Sequence, residues 1–314
     1  HNAGYNAQES RATAVGHQAG CSAQGDSGVA IGSSASALDQ GVRSVGIGRL
    51  AGYDSQGNDS VAIGNEAGSN VQGANCVAVG VYAGRQDQGA QGVAIGYRAA
   101  CAGQGTDAIA IGREAGINAQ GNNSIAMGYQ GGGADQGAQS IAMGYKAGND
   151  SQGAECVAIG REAGKTNQTA NSVAIGYGAG LNAQGGESVA IGAFAGCADQ
   201  GTYSVAVGRQ AGQSQQANNS IAIGYVAGCA DQGAQSVAIG IAAGRYNQGL
   251  NSVALGYDAG NSQQVASSFF ISVHSVRTGG GGQYLMRNGP GEVTLNASDD
   301  RVKDDETLIT GAVE

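Results

Sequence analysis

Three kinds of residue recur in this chain at spacings that bear on chemistry: glutamine, tyrosine with arginine, and cysteine. Glutamine stands at every sixteenth residue from Gln8 to Gln264, seventeen times without exception. Gln24, Gln56, Gln88, Gln120, Gln152, Gln184, Gln216 and Gln248 represent the row. An amide donates through its nitrogen and accepts through its oxygen, so amides stacked one turn apart can bond in series. We expect a buried ladder, each amide donating to the turn on one side and accepting from the turn on the other. A row of glycan-binding amides is the rival reading. A second row, in another phase of the same spacing, carries Tyr97, Tyr129, Tyr145, Tyr177, Tyr225 and Tyr257, interleaved with Arg49, Arg113, Arg161 and Arg209. Such a stripe can read sugars or another surface; the plainer reading is a strand face of stacked amphipathic side chains.

The six cysteines fall into two phases: Cys21, Cys101, Cys197 and Cys229 in one, Cys76 and Cys156 in the other. Cys197 and Cys229 are two turns apart, roughly 10 Å at ~4.8 Å per turn, beyond disulfide reach. Free thiols are expected, which suits assembly in a reducing compartment. No Cys-x-x-Cys or Cys/His cluster marks a metal site, and no cofactor motif is present.

The element that must position these rows is the repeat itself. Glycine recurs every sixteen residues from Gly16 to Gly256 with no insertion. We count positions so that this glycine is position sixteen. Position thirteen is Val or Ile in nearly every turn, fourteen is Ala except at Gly46, and fifteen is aliphatic throughout. Ser172-Val173-Ala174-Ile175-Gly176 is typical. Large and small apolar residues alternating over a few positions predict a strand, with thirteen and fifteen on one face and fourteen on the other. We expect thirteen and fifteen to point inward and the Ala row to face out, because a coil filled by Ala alone buries little apolar area. Position three is Ala except at Gly131, and position four is Gly except at Ser36 and Ala100. The glycine supplies either a positive φ or room for a neighbour, and the sequence does not separate the two.

Composition excludes collagen and disorder and argues against several kinds of partner. The chain has 314 residues, 59 of them Gly, a single Pro and no Trp. Collagen needs glycine at every third residue with abundant proline. Disorder needs few β-branched residues, and here they recur on schedule. A net charge of −9 offers no basic stripe for nucleic acid. No apolar run is long enough to insert in a membrane. Acidic residues such as Glu66, Glu114 and Glu162 vary from turn to turn, so the paired carboxylates of a glycan-cleaving fibre are poorly supported. His1-Asn2-Ala3-Gly4 is already in register with later turns, and further repeats are expected upstream.

The period ends after Gln264. Phe269-Phe270 then offers a larger apolar plug for an open solenoid end. Gln283 to Met286 and Glu292 to Leu295 flank Asn288-Gly289-Pro290-Gly291, a hairpin pattern.

Two resemblances follow. The Ser-Val-Ala-Ile-Gly repeats over residues 12–256 resemble the head domains of trimeric autotransporter adhesins. That likeness implies a left-handed β-roll with three chains side by side, although the family's usual period is fourteen. Asn296-Ala297-Ser298-Asp299-Asp300-Arg301-Val302-Lys303 resembles the start of the intramolecular chaperone domain of endosialidase-type phage tail fibres. By that likeness Ser298 is an autocleavage serine cut before Asp299, Lys303 assists it, and Asp299 and Arg301 are supporting motif positions. A desolvated lysine can serve as base to a serine; a helix N-cap is the alternative role for Ser298.

The sequence therefore predicts an all-β protein, a parallel β-solenoid (β-roll) of 16-residue turns, left-handed and trimeric. Residues 1–267 are the solenoid, 268–297 a capping β segment, and 298–314 the start of a chaperone domain. The expected role is a structural fibre or spike segment of a virion, extracellular after assembly in the host cytoplasm. The expected partners are its own copies as a homotrimer and a host-surface glycan or receptor. Single-turnover autoproteolysis at Ser298 is the one enzymatic step expected. The alternative is a bacterial trimeric autotransporter-type adhesin head.

Overall fold

The computed structural model describes residues 2–273, 283–287 and 293–296. Among these there is no helix, and the chain is a parallel β-solenoid of 16-residue turns. It divides into two compact units, His1–Ala183 and Gln184–Glu314.

In the first unit each turn holds two short strands. Positions six to eight form the first, as in Asn118–Gln120, and thirteen to fifteen the second, as in Ile125–Met127. Each pairs in parallel with its equivalent one turn on. Gln120 lies opposite Gln136, and Ile125, Ala126 and Met127 lie opposite Ile141, Ala142 and Met143. The register equals the sequence period, so every residue type stacks on its own kind. Tight corners close the turn. Glu114, Gly116, Ala119 and Asn123 have φ of 58°, 52°, 47° and 55°, and Gly128 has φ 110°. Left-handed backbone recurs at positions two, four, seven, eleven and sixteen. At position sixteen only glycine serves. Gly64 has φ 131°, and a Cβ there would lie 2.5 Å from the carbonyl oxygen of Gly80 in the next turn. Both backbone conformation and neighbour contact therefore fix the row of glycines.

The interior reverses the expected facing. Ala30, Ala62, Ala94, Ala126 and Ala158, all at position fourteen, are fully buried, as are Ala19, Ala51, Ala83 and Ala115 at position three. Val or Ile at thirteen is half-buried, and residues at fifteen are half-buried or exposed. The reason is space. Five left-handed residues in sixteen draw the two strands so close that the interior admits methyl groups and one long side chain per turn. That side chain is glutamine: Gln24, Gln72, Gln88, Gln152 and Gln168 are among the largest fully buried residues. Cohesion then comes from backbone ladders and amides more than from apolar volume.

Position four resolves the open question about its glycine. Gly20 has φ 51°, and a Cβ would meet the Oε1 of Gln24 at 2.6 Å, so both reasons hold at once. One exception is compensated. Ser36 occupies position four, and ten residues on Gly46 stands where other turns have Ala. A Cβ on Gly46 would collide with Ser36 Oγ, so the serine fills the space the missing methyl leaves.

The second unit repeats this plan. Val205, Ala206 and Val207 pair with Ile221, Ala222 and Ile223, and the first-strand pairing continues to Tyr246 and Gln248. Phe269–Val273 adds one more parallel strand, with Phe270 opposite Ala254. Phe270 packs on the buried Ala227, Ala238, Ala243, Ala254 and Ala259. One of the two expected phenylalanines thus plugs the interior, while Phe269 is 39% exposed. Gln283–Arg287 then pairs antiparallel to this strand, and Val293–Asn296 antiparallel to it in turn. This hairpin ends the parallel edge, which would otherwise offer unpaired N–H and C=O groups.

Candidate interaction surface

Each turn presents three rows of side chains with chemical potential: the interior amides, the outward aliphatics of the second strand, and the tyrosine–arginine row just beyond it.

The amides brace one strand against the other. Gln24 Nε2 donates to the Thr13 carbonyl of the preceding turn at 2.9 Å and to the Gly28 carbonyl of its own turn at 3.1 Å. Gln120 and Gln216 repeat the pattern onto Ile109 with Ser124 and onto Val205 with Ser220. Bonds from one amide to the next occur too, from Gln40 to Gln56 at 3.2 Å and from Gln152 to Gln168 at 3.1 Å. The expected amide-to-amide ladder is thus secondary, and the dominant bonds run to backbone carbonyls. Those carbonyls flank position thirteen, so one amide ties the first strand to the second across the interior. The oxygens are less well served. Buried Oε1 atoms of Gln24, Gln136, Gln200 and Gln232 have no hydrogen-bond partner, and each occupies the space that a Cβ on the position-four glycine of its turn would need. These amides lie inside the coil, which removes them as a glycan-binding row.

Position twelve adds a second polar row. Ser60 N donates to Ser44 Oγ at 3.2 Å, and Ser60 Oγ donates to the Gly73 carbonyl at 2.8 Å. Cys76 takes the same place, its Sγ 3.0 Å from the Gly89 carbonyl, and burial pushes its thiol pKa up. All six thiols are free. Cys197 and Cys229 are half-buried, and burial raises both. Among the described residues no group of three His, Cys, Asp or Glu side chains converges.

Outside, the second strand carries an aliphatic stripe. In the first unit Ile31, Ile63, Ile95 and Ile159 at position fifteen keep 36–38% of their surface exposed, with half-buried Val or Ile at thirteen beside them. In the second unit Ile191, Ile223 and Ile239 keep 37–39%. Scattered exposed aliphatics are ordinary, but an exposed or half-buried aliphatic on turn after turn makes a contiguous patch, which marks an interaction surface. The sequence held a clue to this facing. Position fourteen accepts only Ala or Gly, whereas thirteen and fifteen accept Thr13, Met127, Met143 and Leu255. The stricter size limit belongs to the interior.

Position one follows the stripe by two residues. Arg113 lies over the rings of Tyr97 and Tyr129, at 5.8 and 5.5 Å. Tyr129 stacks on Tyr145 with centroids 5.3 Å apart. Arg161 lies over Tyr145 and Tyr177, at 5.6 and 5.3 Å. Along this row each ring therefore meets a guanidinium or a neighbouring ring. In the second unit Arg209 lies over Tyr225 at 5.8 Å, and Tyr257 is exposed. Position two contributes ion pairs, including Arg49 to Glu66 at 2.8 Å and Arg113 to Glu114 at 3.7 Å. Ser298, Asp299, Arg301 and Lys303 lie outside the described residues.

Comparison with known proteins adds one finding. Two copies of the YadA head domain repeat model match residues 104–130. No curated protein and no solved structure matches the chain. The matched stretch includes Gln104, Gln120 and the strands Ile109–Ile111 and Ile125–Met127, so it contains the amide row and the outward stripe together. In this stretch the chain is similar to the repeats of trimeric autotransporter heads.

Proposed function

We propose that this chain is a segment of an adhesin-like surface fibre, built as a homotrimer with the aliphatic stripes turned toward one another. The observation that carries the proposal is the outward facing of positions thirteen and fifteen. A coil that fills its interior with Ala, Ser and Gln has placed its largest aliphatics where only another surface can cover them. A second copy of the chain has the same rise per turn, so its stripe can meet this one at every turn. Similarity to YadA head repeats, which occur in trimers, supports three copies. The function is then mechanical: backbone ladders and buried amides give a rod that resists proteolysis while its outer residues meet a partner.

The finer reading is a fibre or spike segment of a virion that attaches to a host glycan or receptor. The residues from Asn296 to Lys303 support it through their likeness to a phage-fibre chaperone junction. On this reading the Ser298–Asp299 peptide bond is cut once with the Ser298 hydroxyl and Lys303 assisting, water supplying the new carboxylate of Ser298 and Asp299 leaving with a free amine. The match to YadA repeats favours a second reading, a bacterial adhesin head.

Sedimentation tests the trimer. The segment is expected near three times 30.7 kDa, and a species of 30.7 kDa at all concentrations refutes it. Intact mass after expression with downstream sequence tests the junction. Cleavage before Asp299 that is lost in Ser298→Ala supports the virion reading, and an uncut product with Ser298 present counts against it.

A further inference from the structure

Within the first unit, charges are sorted around the coil. Between Tyr97 and Lys165 the cations are Arg98, Arg113, Lys146, Arg161 and Lys165. All stand at positions one, two or five, on the corner that leads from a second strand to the next first strand. Over the same stretch Asp107, Asp135, Asp150 and Glu155 stand on the first strand or at the other corner. Glu114 and Glu162 are the acids of the cationic corner.

Several cations of the unit meet a carboxylate. Arg43 reaches Asp59 at 2.6 Å, and Arg49 and Arg85 share Glu66 at 2.8 and 3.1 Å. Lys146 and Arg161 differ. Lys146 Nζ and Arg161 Cζ each lie 5.6 Å from the centroid of the Tyr145 ring, and among the described residues neither makes an ion pair. Glu162, one turn on from Lys146, is turned to Lys165 at 3.3 Å. Two cations thus converge on one ring. The ring attracts each but carries no net charge, so their mutual repulsion stays unrelieved. An anion that reaches both relieves it and accepts charge-assisted hydrogen bonds from each.

The set recurs. Three turns earlier stand Tyr97, Arg98 and Arg113, with Arg113 at 5.8 Å from the Tyr97 centroid. There Glu114 draws on Arg113 at 3.7 Å, so the Tyr145 set is the more exposed to an incoming anion. Three turns span about 14 Å, and a linear polymer with acid groups on successive units can occupy both sets.

We infer that Tyr145, Lys146 and Arg161 form a binding site for the sulfate or carboxylate groups of an acidic polysaccharide, with Tyr97, Arg98 and Arg113 as its weaker copy. The inference rests on the glycan-attachment reading above and names the class of glycan. A polysaccharide fits better than nucleic acid because the cations are sparse. Double-stranded DNA presents one charge per about 1.7 Å, and Asp135 and Asp150 on the adjoining first strand oppose so dense a polyanion.

The test is calorimetric titration of the full chain with heparin, polygalacturonate and neutral dextran. The parent is expected to bind heparin, polygalacturonate or both, more weakly as salt rises, and not dextran; the first two separate sulfate from carboxylate recognition. Lys146→Gln with Arg161→Gln is expected to lower the affinity about tenfold by removing two charge-assisted contacts, with the far-ultraviolet spectrum unchanged. If that pair does not fold, Lys146→Gln alone is read, with a loss of about threefold. Arg11→Gln with Arg43→Gln removes the same charge at the other corner and is expected to change nothing. Equal losses in the two double variants, or no loss in the first, overturn the site and leave glycan attachment standing. So does a parent that binds neutral glycans of a broad array but neither acidic polymer. Equally tight binding of single-stranded DNA overturns the polysaccharide class. A parent that binds no glycan at all removes the attachment reading, and the site falls with it.

Discussion

The two strands of each turn share an interior but not an exterior. The first strand turns Gln inward and leaves mostly polar or small residues such as Asn70, Asp87 and Asn118 outside, with Leu38, Val71 and Tyr246 as exceptions. The second turns Ala inward and leaves Val, Ile and Met outside. Both strands pair in parallel with their equivalents one turn on, so the difference is not about holding the coil together. It separates two tasks. Amides and methyl groups close the coil, and the displaced aliphatics are left to join coils. A change on the inside should therefore cost stability, while a change on the outside of the second strand should cost assembly.

The largest expected effect is inside the coil. Gln120→Glu keeps the size but replaces a donor with a carboxylate facing the Ile109 and Ser124 carbonyls. Burying that charge unpaired should cost about 3–5 kcal/mol by urea unfolding. Because the folded state favours the neutral acid, part of the loss should return as pH falls toward about 4, the ordinary carboxyl range. A loss that does not change with pH would mean the site is wetter than the structure shows. Next comes the outside. Ile95→Asp with Ile111→Asp should reduce the assembled mass to that of a single chain while the far-ultraviolet spectrum stays unchanged. Asn70→Asp with Asn118→Asp, on the outer side of the first strand, should leave the mass as it was. Equal behaviour of the two pairs would erase the contrast between the strands.

A smaller effect tests how tightly the interior is filled. Gly46→Ala should destabilise by about 1–3 kcal/mol, because the new methyl meets Ser36 Oγ. Ser36→Gly in the same chain should recover most of it, since the pair then matches the other turns. Additive effects would show that the two sites do not share one space. The smallest effect concerns Cys76. Its folded-state pKa lies above the ordinary 9.0 because burial disfavours the thiolate. Its stabilising share is complete below the ordinary value and falls away as pH rises through the folded one. Cys76→Ser should therefore unfold at a higher pH than the parent in an alkaline titration.

Much of this was legible in the sequence. Sixteen glycines at one spacing specify the coil, and seventeen glutamines specify an amide row, buried at every turn but the first, because no surface loop needs one residue type so strictly. The Phe269-Phe270 pair and the segment around Pro290 specified the end of the coil and the hairpin. Two things were misread for a physical reason. Hydrophobicity alone put Val and Ile inside, where the true limit is the width left by left-handed corners such as Ala119 and Asn123. The amides were expected to bond chiefly to one another, although the carbonyls of Thr13 and Ile109 lie nearer to hand. Alternation in a three-residue strand gives two faces but not their direction, and only closure of the turn decides it.

The most direct measurement uses two residues already in the stripe. Met127 and Met143 stand at position fifteen on adjacent turns, outside the coil. Hydroxyl-radical oxidation of the assembled protein, read by mass spectrometry, reports whether they are covered. Both are expected to oxidise slowly in the assembled protein and fast in the Ile95→Asp, Ile111→Asp chain, which keeps its fold but stands alone. Equally fast oxidation in the two would show that the stripe faces solvent in the assembly and would contradict it.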